Sequence, residues 1–328
     1  MWQPVCMQKW WKVRATVVVA LLGVLASGCD ALAGGAEDEA DEEADAQLSV
    51  AAGPEPETAL LAHTVVELLA YWELSAEVVN FSDARDTRQA LQLGAVDISI
   101  AYTGEAWLET LGQADPPGDP AESFRAVRNH DRDHDIIWLR PRLLDGVDNP
   151  PANATFAFVV AGPPGLHADL STVSQLATRL SEQPDAPICV DEQFASRSDG
   201  LRAVLAAYSV RSGQPVFAAE PTEAVAAVAA GACVAGLTTA TDGEVWRQGL
   251  RPLDDDLEVF PAFVPLPQVR ADAADEYPSL RGAISPLPAQ LTTELLGQAN
   301  ARVANGEPLE EVAADLAVEL RDRAGRTS

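Results

Sequence analysis

Short apolar runs alternate with amphipathic stretches along most of the chain, beginning at Leu48. A short apolar run bounded by turn residues predicts a strand, whereas apolar residues spaced three or four positions apart predict a helix. The predicted strands are 48–52, 78–81, 96–101, 136–139, 155–160, 188–190, 216–218 and 233–237. The predicted helices are 57–71, 86–93, 121–130, 170–181, 199–208, 222–230, 289–304 and 308–324.

The alternation of strands and helices predicts an α/β fold. Strands that are separated by helices form parallel sheets, which helices cover on both faces. The pattern occurs in two sets, so we expect two lobes, each a mostly parallel sheet flanked by helices, with a cleft between them. The proline-rich stretch 261–267 is expected to be extended and to cross between the lobes. A small-molecule site is then expected in the cleft, at the carboxyl ends of the strands.

The N-terminal region contains an apolar run at residues 15–26, which follows basic residues and ends in Ala26-Ser27-Gly28-Cys29. This arrangement predicts a secretory signal over residues 1–28, and the run is too short to span a bilayer comfortably. The end of the run resembles the lipobox of bacterial lipoproteins, with Ala26 where that motif usually has leucine. The resemblance implies that Cys29 becomes the lipid-modified N-terminal residue. A plain signal peptide and an N-terminal anchor are the alternatives.

The segment that follows is strongly acidic. Residues 36–45 read AEDEADEEAD and contain no aromatic or β-branched side chain, so they cannot bury enough apolar surface to fold. Residues 29–47 are therefore expected to form a flexible tether at the outer face of the cell membrane. The whole chain has a formal net charge of −28, and its only lysines, Lys9 and Lys12, lie in the predicted signal. This acidity argues against nucleic acid and an anionic membrane surface as partners.

Two cysteines remain outside the N-terminal region, Cys189 and Cys233. If their strands belong to a sheet ordered 2-1-3, the first and third strands are neighbours about 4.8 Å apart. Cysteines at matching heights on such strands come within disulfide range, and an extracytoplasmic compartment permits oxidation. The alternative is a pair of small, buried free thiols. Both interpretations stay open at this point.

Four motifs carry a family resemblance. They are Thr87-Arg88-Gln89-Ala90-Leu91 continuing through Gly94-Ala95-Val96-Asp97 to Tyr102-Thr103-Gly104, then Phe194-Ala195-Ser196-Arg197-Ser198-Asp199-Gly200-Leu201, Thr241-Asp242-Gly243, and Glu276-Tyr277-Pro278-Ser279-Leu280. Their order and spacing resemble the substrate-binding proteins of ABC importers for glycine betaine, choline and related osmoprotectants. The resemblance extends over nearly all of residues 48–322.

The resemblance implies a type II periplasmic-binding fold in an extracytoplasmic protein. One lobe would combine residues 48–155 with 244–328, and the other would hold residues 156–243. The lobes would close over the ligand by a hinge motion, and the closed form would be recognised by a permease subunit in the membrane. The protein is expected to act as a monomer.

The same resemblance suggests which residues contact the ligand. Tyr102 stands at a position that forms one wall of an aromatic cage, and such a ring face attracts a quaternary ammonium group. Phe156 stands where the family has a second cage tyrosine. Arg197 aligns with an arginine that clamps a ligand carboxylate. The alternatives are a strand-end aromatic for Tyr102, strand core for Phe156, and a salt bridge to Asp199 or Glu192 for Arg197.

The chain also departs from the family pattern at the expected site. A further cage tyrosine is replaced by Leu237 or Thr239, depending on the alignment of this segment. Glu105 stands where a threonine follows the Y-T-G motif, and Thr58 follows the retained Glu57 in an altered N-terminal stretch. An added carboxylate favours a cationic ligand such as choline, with a different small amine or an amino acid as the alternative.

Other function classes find little support in the sequence. Without lysine after the signal, Schiff-base chemistry and a P-loop are excluded, and no G-x-S-x-G elbow occurs. We therefore expect neither an enzyme nor a cofactor. Residues 129–135 carry two histidines four positions apart with flanking carboxylates, a spacing that zinc sites use. We interpret this run as a solvated loop without metal. A sensor or interaction lipoprotein on the same fold remains an alternative to a transport protein.

Overall fold

The computed structural model describes residues 47–142, 150–165, 167–197, 200–210, 216–218 and 221–327. The predicted signal, Cys29 and the acidic run lie outside these residues, as does Asp199. Among the described helices, none is both long enough and apolar enough to cross a membrane.

The described chain forms ten strands and fourteen α-helices. The strands are β1 (Leu48–Ala52), β2 (Ala76–Asn80), β3 (Ile98–Tyr102), β4 (Ile136–Trp138), β5 (Phe156–Ala161), β6 (Ile188–Val190), β7 (Val216–Ala218), β8 (Ala235–Thr239), β9 (Leu250–Pro252) and β10 (Pro265–Arg270). The helices are α1 (Pro56–Ala70), α2 (Ala84–Leu93), α3 (Thr103–Glu109), α4 (Pro120–Asp131), α5 (Val173–Glu182), α6 (Glu192–Ser196), α7 (Leu201–Ala207), α8 (Pro221–Ala229), α9 (Gly243–Arg247), α10 (Ala271–Glu276), α11 (Leu280–Ile284), α12 (Pro286–Gln290), α13 (Thr293–Ala304) and α14 (Leu309–Thr327). A 3₁₀ turn, Arg132–His134, follows α4.

The strands form two five-stranded sheets. The first has the order β2-β1-β3-β10-β4, and the second has the order β7-β6-β8-β5-β9. In each sheet the first three strands are parallel, while β10 and β5 run antiparallel to both of their neighbours. The two-lobed α/β fold is thus confirmed, and within each mixed sheet a single strand, β10 or β5, runs against the other four. The reason is that β5 and β10 enter their sheets directly from the segments that cross between them, without a preceding helix to reverse the chain.

Helices cover both faces of each sheet. Adjacent residues of a strand point to opposite faces, and Val50 packs with α1 and α14 while Ala51 packs with α2 and α4. Leu61 of α1 and Leu320 of α14 are fully buried in this first core. The second sheet is covered on one face by α5 and α7 and on the other by α8, which includes Val225.

The assignment of chain segments to lobes follows the sheets. Strand β9 pairs with β5 and so belongs to the second sheet, although it lies beyond residue 243. Sheet membership therefore places the return crossing after Pro252, within residues 253–264. The division of the chain at residues 243 and 244 stays a prediction from the resemblance, and the sheets favour a slightly later boundary.

Two crossing segments lie side by side between the sheets. The amide N–H of Phe263 donates to Asn153 Oδ1 at 2.7 Å, and Ala154 N–H donates to the Phe263 carbonyl at 2.9 Å. Gly104 lies against the same segment, where a Cβ would come within 2.8 Å of the Ala262 carbonyl oxygen. Only glycine fits this approach, which accounts for the third residue of the Y-T-G motif. The proline-rich stretch 261–267 ends in the first residues of β10, and residues 261–264 before it have no regular secondary structure.

A disulfide joins Cys189 to Cys233, with a Cα–Cα distance of 5.9 Å and an S–S distance of 2.05 Å. The order β7-β6-β8 is the 2-1-3 arrangement that the sequence suggested. Cys233 does not open a strand, because β8 begins at Ala235 and Cys189 lies opposite Gly236. The bond therefore ties β6 to the turn before β8 and is not a cross-strand pair at matching heights.

The predicted helices do not include the short helices α3, α6, α9, α10, α11 and α12. Among the helices that were predicted, the largest error in a boundary is at the start of the helix expected over 289–304. Residues 289 and 290 end the short α12, and α13 begins at Thr293. The break occurs because Thr292 caps α13, with its side chain accepting from Leu295 N–H, and Leu291 is extended.

Candidate functional site

A cavity of about 420 Å³ opens beyond the carboxyl ends of β1 and β3. The carboxyl ends of the strands are where α/β sheets usually bind ligands. Its lining includes Gly53, Thr58, Arg85, Arg88, Tyr102 and Glu105. Three of the candidate ligand residues, Thr58, Tyr102 and Glu105, therefore share this cavity.

Tyr102 is fixed in place by a carboxylate behind it. It is the last residue of β3 and the N-cap of α3, and only 8% of its surface is exposed. Its hydroxyl donates to Glu57 Oε1 at 2.5 Å. Burial raises the pKa of Tyr102 well above its usual value, and the charge and hydrogen bond of Glu57 raise it further. The phenol therefore stays protonated and holds its ring in one orientation.

Glu57 also connects the cavity to the second sheet. Asn300 of α13 donates through Nδ2 to Glu57 Oε2 at 2.6 Å and to the Thr241 carbonyl at 2.8 Å. Thr241 follows β8, so a continuous hydrogen-bonded chain runs from Tyr102 to the end of a strand in the second sheet. Gly243 lies against α13 at this point, where a Cβ would be 2.7 Å from the Asn300 backbone. This contact accounts for the glycine of the T-D-G motif.

Negatively charged side chains dominate the lining of the cavity, since both of its arginines are paired with carboxylates. Glu105 is exposed at its rim, and partial burial raises the pKa of its carboxyl, as do the charges of Glu109, Glu55 and Glu57. Arg85 forms an ion pair with Glu109, with Nε 3.2 Å from Oε1. Within the described part of the chain, Glu55 and Glu105 form no ion pair.

The other arginine of the cavity, Arg88, is engaged with a buried acid. Its two terminal nitrogens each lie 2.6 Å from one oxygen of Asp131, and Trp138 Nε1 donates to the same carboxylate at 2.6 Å. Burial alone would raise the pKa of Asp131, but the hydrogen bonds and charge of Arg88 hold it below its usual value. Arg88 is thus neutralised, and the cavity presents net negative charge.

The candidate aromatic residue of the second lobe lies elsewhere. Phe156 begins β5, is 38% exposed, and lines a separate cavity of about 480 Å³ together with Phe260. Its ring centroid lies 5.3 Å from that of Phe194 and 6.4 Å from that of Phe260. Arg197 extends this aromatic surface, with its Cζ 5.8 Å from the centre of the Phe194 ring. The structure therefore groups Phe156 with Arg197 but does not bring either into the Tyr102 cavity.

Leu237 and Thr239, the two candidates for the position of the replaced cage tyrosine, lie in different surroundings. Leu237 lies opposite Phe158 in the sheet, is 3% exposed, and packs in the core, so it is not a cavity residue. Thr239 is exposed at the end of β8 and lies directly opposite Phe156. Thr58 lines the first cavity, and its hydroxyl donates to the Glu55 carbonyl at 2.8 Å.

Sequence reasoning missed two residues of this region. Phe194 is the first residue of the F-A-S-R motif, so its position beside Arg197 was a usable signal for an aromatic contact. Asn300 lies in an ordinary amphipathic helix, and nothing in the local sequence distinguishes it. Its role arises only because α13 packs beside the end of β8 in three dimensions.

Comparison with known proteins identifies a family that covers most of the chain. The family described as the substrate-binding domain of ABC-type glycine betaine transport systems matches residues 46–317. The glycine betaine-binding protein YehZ of Escherichia coli (strain K12) is 29% identical over 269 residues, which cover 79% of this chain and 86% of that protein. A glycine-betaine-binding protein of Pseudomonas aeruginosa is 28% identical over 223 residues, 66% of this chain and 69% of its own.

Solved structures resemble the fold closely. Apo YehZ from Escherichia coli superimposes with a TM-score of 0.75 at 25% identity, covering 84% of this chain and 98% of that one. The structure of a glycine betaine/carnitine/choline ABC transporter protein gives a TM-score of 0.71 at 21% identity, covering 83% and 98%. The two-lobed arrangement of mixed sheets is thus that of type II periplasmic-binding proteins.

Proposed function

The chain belongs to the family of substrate-binding domains of ABC-type glycine betaine transport systems, and on that premise we propose that it captures a small quaternary-ammonium or cationic osmolyte between its lobes. Membership makes it an extracytoplasmic binding protein of an ABC importer and not an enzyme. The specific ligand, the lipid anchor and the permease contact are the parts that we propose.

The acidic cavity beside Tyr102 is the observation that supports a cationic ligand. A quaternary ammonium group offers no N–H to donate, so aromatic faces and carboxylates are its best partners. One ring face contributes about 0.5–2 kcal/mol. A carboxylate at about 4 Å contributes about 4 kcal/mol at an effective dielectric constant near 20, before the cost of desolvation. Glu105 and Glu55 supply this negative charge, because they form no ion pair among the described residues.

The second lobe supplies the complementary surface. Phe156 and Phe194 present ring faces, and Arg197 beside them could bind a ligand carboxylate. Closure about the crossing segments near Asn153 and Phe263 would bring this surface over Tyr102. Choline needs only the acidic side of such a site, whereas glycine betaine is a zwitterion that also needs Arg197 for its carboxylate, a group that Glu105 repels. We therefore place choline-like monocations ahead of betaines.

A thermal-shift panel tests this proposal on the purified protein. Choline, glycine betaine, carnitine, a primary amine and neutral amino acids are compared at equal concentrations. A ligand present at about 100 times its Kd stabilises the folded state by about 2.7 kcal/mol. We expect choline to give the largest shift and betaine a smaller one. A shift with amino acids alone, with no response to any quaternary ammonium compound, would contradict the proposal.

Anchoring through Cys29 is proposed separately, on the signal-like N-terminus. Metabolic labelling with a fatty-acid analogue should mark the wild-type protein and leave Cys29→Ser unmarked. Wild-type protein that remains unlabelled in lipoprotein-processing cells would exclude the anchor without affecting the ligand proposal.

A further inference from the structure

Two histidines that do not line the ligand cavity lie together at the end of α4. The rings of His130 and His134 are stacked, with centroids 4.6 Å apart and an angle of 18° between their planes. His130 is in the last turn of α4, and His134 ends the 3₁₀ turn that follows. One ligand atom from each ring and one from Asp131 all lie within 4.8 Å of one another. The solvated loop expected for residues 129–135 is therefore wrong, because this run continues α4 into the 3₁₀ turn and contains the fully buried Asp131.

The hydrogen bonds of the two rings determine where their protons lie. His130 Nδ1 is 3.1 Å from Asp131 Oδ1, and His134 Nδ1 is 3.0 Å from the carbonyl oxygen of His130. A carboxylate and a carbonyl oxygen can only accept, so each Nδ1 carries the hydrogen when its ring is neutral. Each Nε2 is then left with a free lone pair.

This arrangement is the one that metal-binding histidines use. Such residues coordinate through one nitrogen and donate the other N–H to a carboxylate or a backbone carbonyl, which fixes the tautomer and the ring orientation. Here His130 has the carboxylate contact, to Asp131, and His134 has the carbonyl contact, to the backbone of His130. The carboxylate is itself held rigidly, because Asp131 is fully buried and accepts from Arg88 and Trp138.

Asp131 therefore supports the rings and does not coordinate. Its Oδ1 accepts from Arg88 and His130, and its Oδ2 accepts from Arg88 and Trp138, so a metal would have to displace a bond to a buried arginine. Removing that partner would leave a buried charge uncompensated, at a large cost. His134 is exposed and His130 is partly exposed, so water can complete the coordination from the solvent side.

We propose that His130 and His134 form a two-histidine binding site for a divalent transition metal. Two imidazole nitrogens and water suit Cu²⁺, Ni²⁺ and Zn²⁺, and affinity is expected to be highest for Cu²⁺. A bound ion would fasten the 3₁₀ turn to the end of α4. This inference is independent of the ligand proposal, since neither histidine lines the ligand cavity.

Calorimetric titration of Ni²⁺ and Cu²⁺ into the purified protein tests the site, at 0.15 M salt to weaken binding to surface carboxylates. The decisive variants are His130→Ala and His134→Ala. The matched controls are His63→Ala, which removes a histidine from α1, and His167→Ala, which removes one whose Nδ1 lies 2.7 Å from an Arg179 nitrogen.

We expect one strong site in the wild-type protein and in both controls. Loss of a supporting contact alone typically costs about 10–100-fold in metal affinity, so loss of either ligand should cost at least about tenfold. Binding within about threefold of wild type in His130→Ala or His134→Ala overturns the proposal, as does absence of a site in the wild-type protein. A thermal melt of each metal-free variant establishes that it is folded, and His134→Gln, which keeps an exposed polar side chain, should lose the site in the same way as His134→Ala.

Discussion

The Tyr102 hydroxyl donates a 2.5 Å hydrogen bond to Glu57, and Glu57 in turn accepts from Asn300 through its other oxygen. The ring that we place in the ligand site is therefore oriented by a carboxylate that also contacts the helix next to the second sheet. The hydroxyl is used within the protein, which leaves the face of the ring for the ligand.

Replacing Tyr102 by phenylalanine separates these two roles. Tyr102→Phe keeps the ring but leaves one Glu57 oxygen without its donor, a loss that costs about 1–3 kcal/mol in a buried setting. We expect urea unfolding to show this destabilisation while ligand affinity stays within about threefold of wild type. Equal loss of affinity in Tyr102→Phe and Tyr102→Ala would show that the hydroxyl and not the ring face binds the ligand.

Asn300 is predicted to stabilise the contact between the lobes. Asn300→Ala removes the hydrogen bonds to Glu57 and to the Thr241 carbonyl, which we expect to lower the free energy of unfolding by about 1–3 kcal/mol. Asn300→Asp should be worse, because it places a carboxylate against Glu57. The matched control is Asn305→Ala, at the exposed end of the same helix. A control variant as unstable as Asn300→Ala would assign the effect to the helix and not to the contact.

The raised pKa of Glu105 should make the stability of the folded protein depend on pH. Because its pKa is raised in the folded protein, the folded state holds its proton more tightly than the unfolded state does. Its contribution to stability is therefore present at low pH and is lost as the pH rises from the ordinary glutamate pKa, about 4.3, through the raised value. Glu105→Gln should be more stable than wild type at pH 7, and this advantage should vanish in acid.

The same residue should make cation binding depend on pH. A bound cation favours the ionised carboxylate, so choline affinity should rise with pH through the titration of Glu105 and stay flatter in Glu105→Gln. Glutamine is the matched control because it keeps the size of the side chain and removes only the charge. Parallel pH profiles for the two proteins, measured by calorimetry, would show that Glu105 does not sense the ligand.

The disulfide should contribute measurably to stability. The bond between Cys189 and Cys233 closes a loop with a sequence separation of 44 residues, for which the chain-entropy model gives about 3–4 kcal/mol. Reduction with dithiothreitol should lower the urea midpoint of the oxidised protein by a corresponding amount and leave the Cys189→Ala, Cys233→Ala double variant unaffected. Two thiols alkylated without reductant, detected by intact mass, would contradict the bond.

Local patterns predicted most of the fold, and particular contacts explain the exceptions. The strands 48–52, 188–190 and 216–218 were placed at their exact bounds, because short apolar runs between turns define them. The antiparallel direction of β5 and β10 could not be predicted in this way, since strand direction depends on how the chain crosses between sheets.

The candidate site was predictable only where motifs identify residues. Tyr102 and Glu105 lie in one cavity, as their places in and directly after the Y-T-G motif suggested. Leu237 was offered as an alternative to Thr239 because alignment at this segment is ambiguous, and only the sheet register places Leu237 in the core. The role of Asn300 could not be predicted, because its partners Glu57 and Thr241 are distant in sequence.

The central claim is that the ligand is captured between Tyr102 on one lobe and the aromatic surface of Phe156 and Phe194 on the other, with Arg197 beside that surface to bind a ligand carboxylate. Calorimetric titration of choline and glycine betaine into wild type, Tyr102→Ala and Arg197→Ala tests it most directly. We predict that Tyr102→Ala weakens both ligands by at least about tenfold, or about 1.4 kcal/mol, and that Arg197→Ala weakens betaine more than choline. Affinities within about twofold of wild type for both ligands in both variants would contradict the claim.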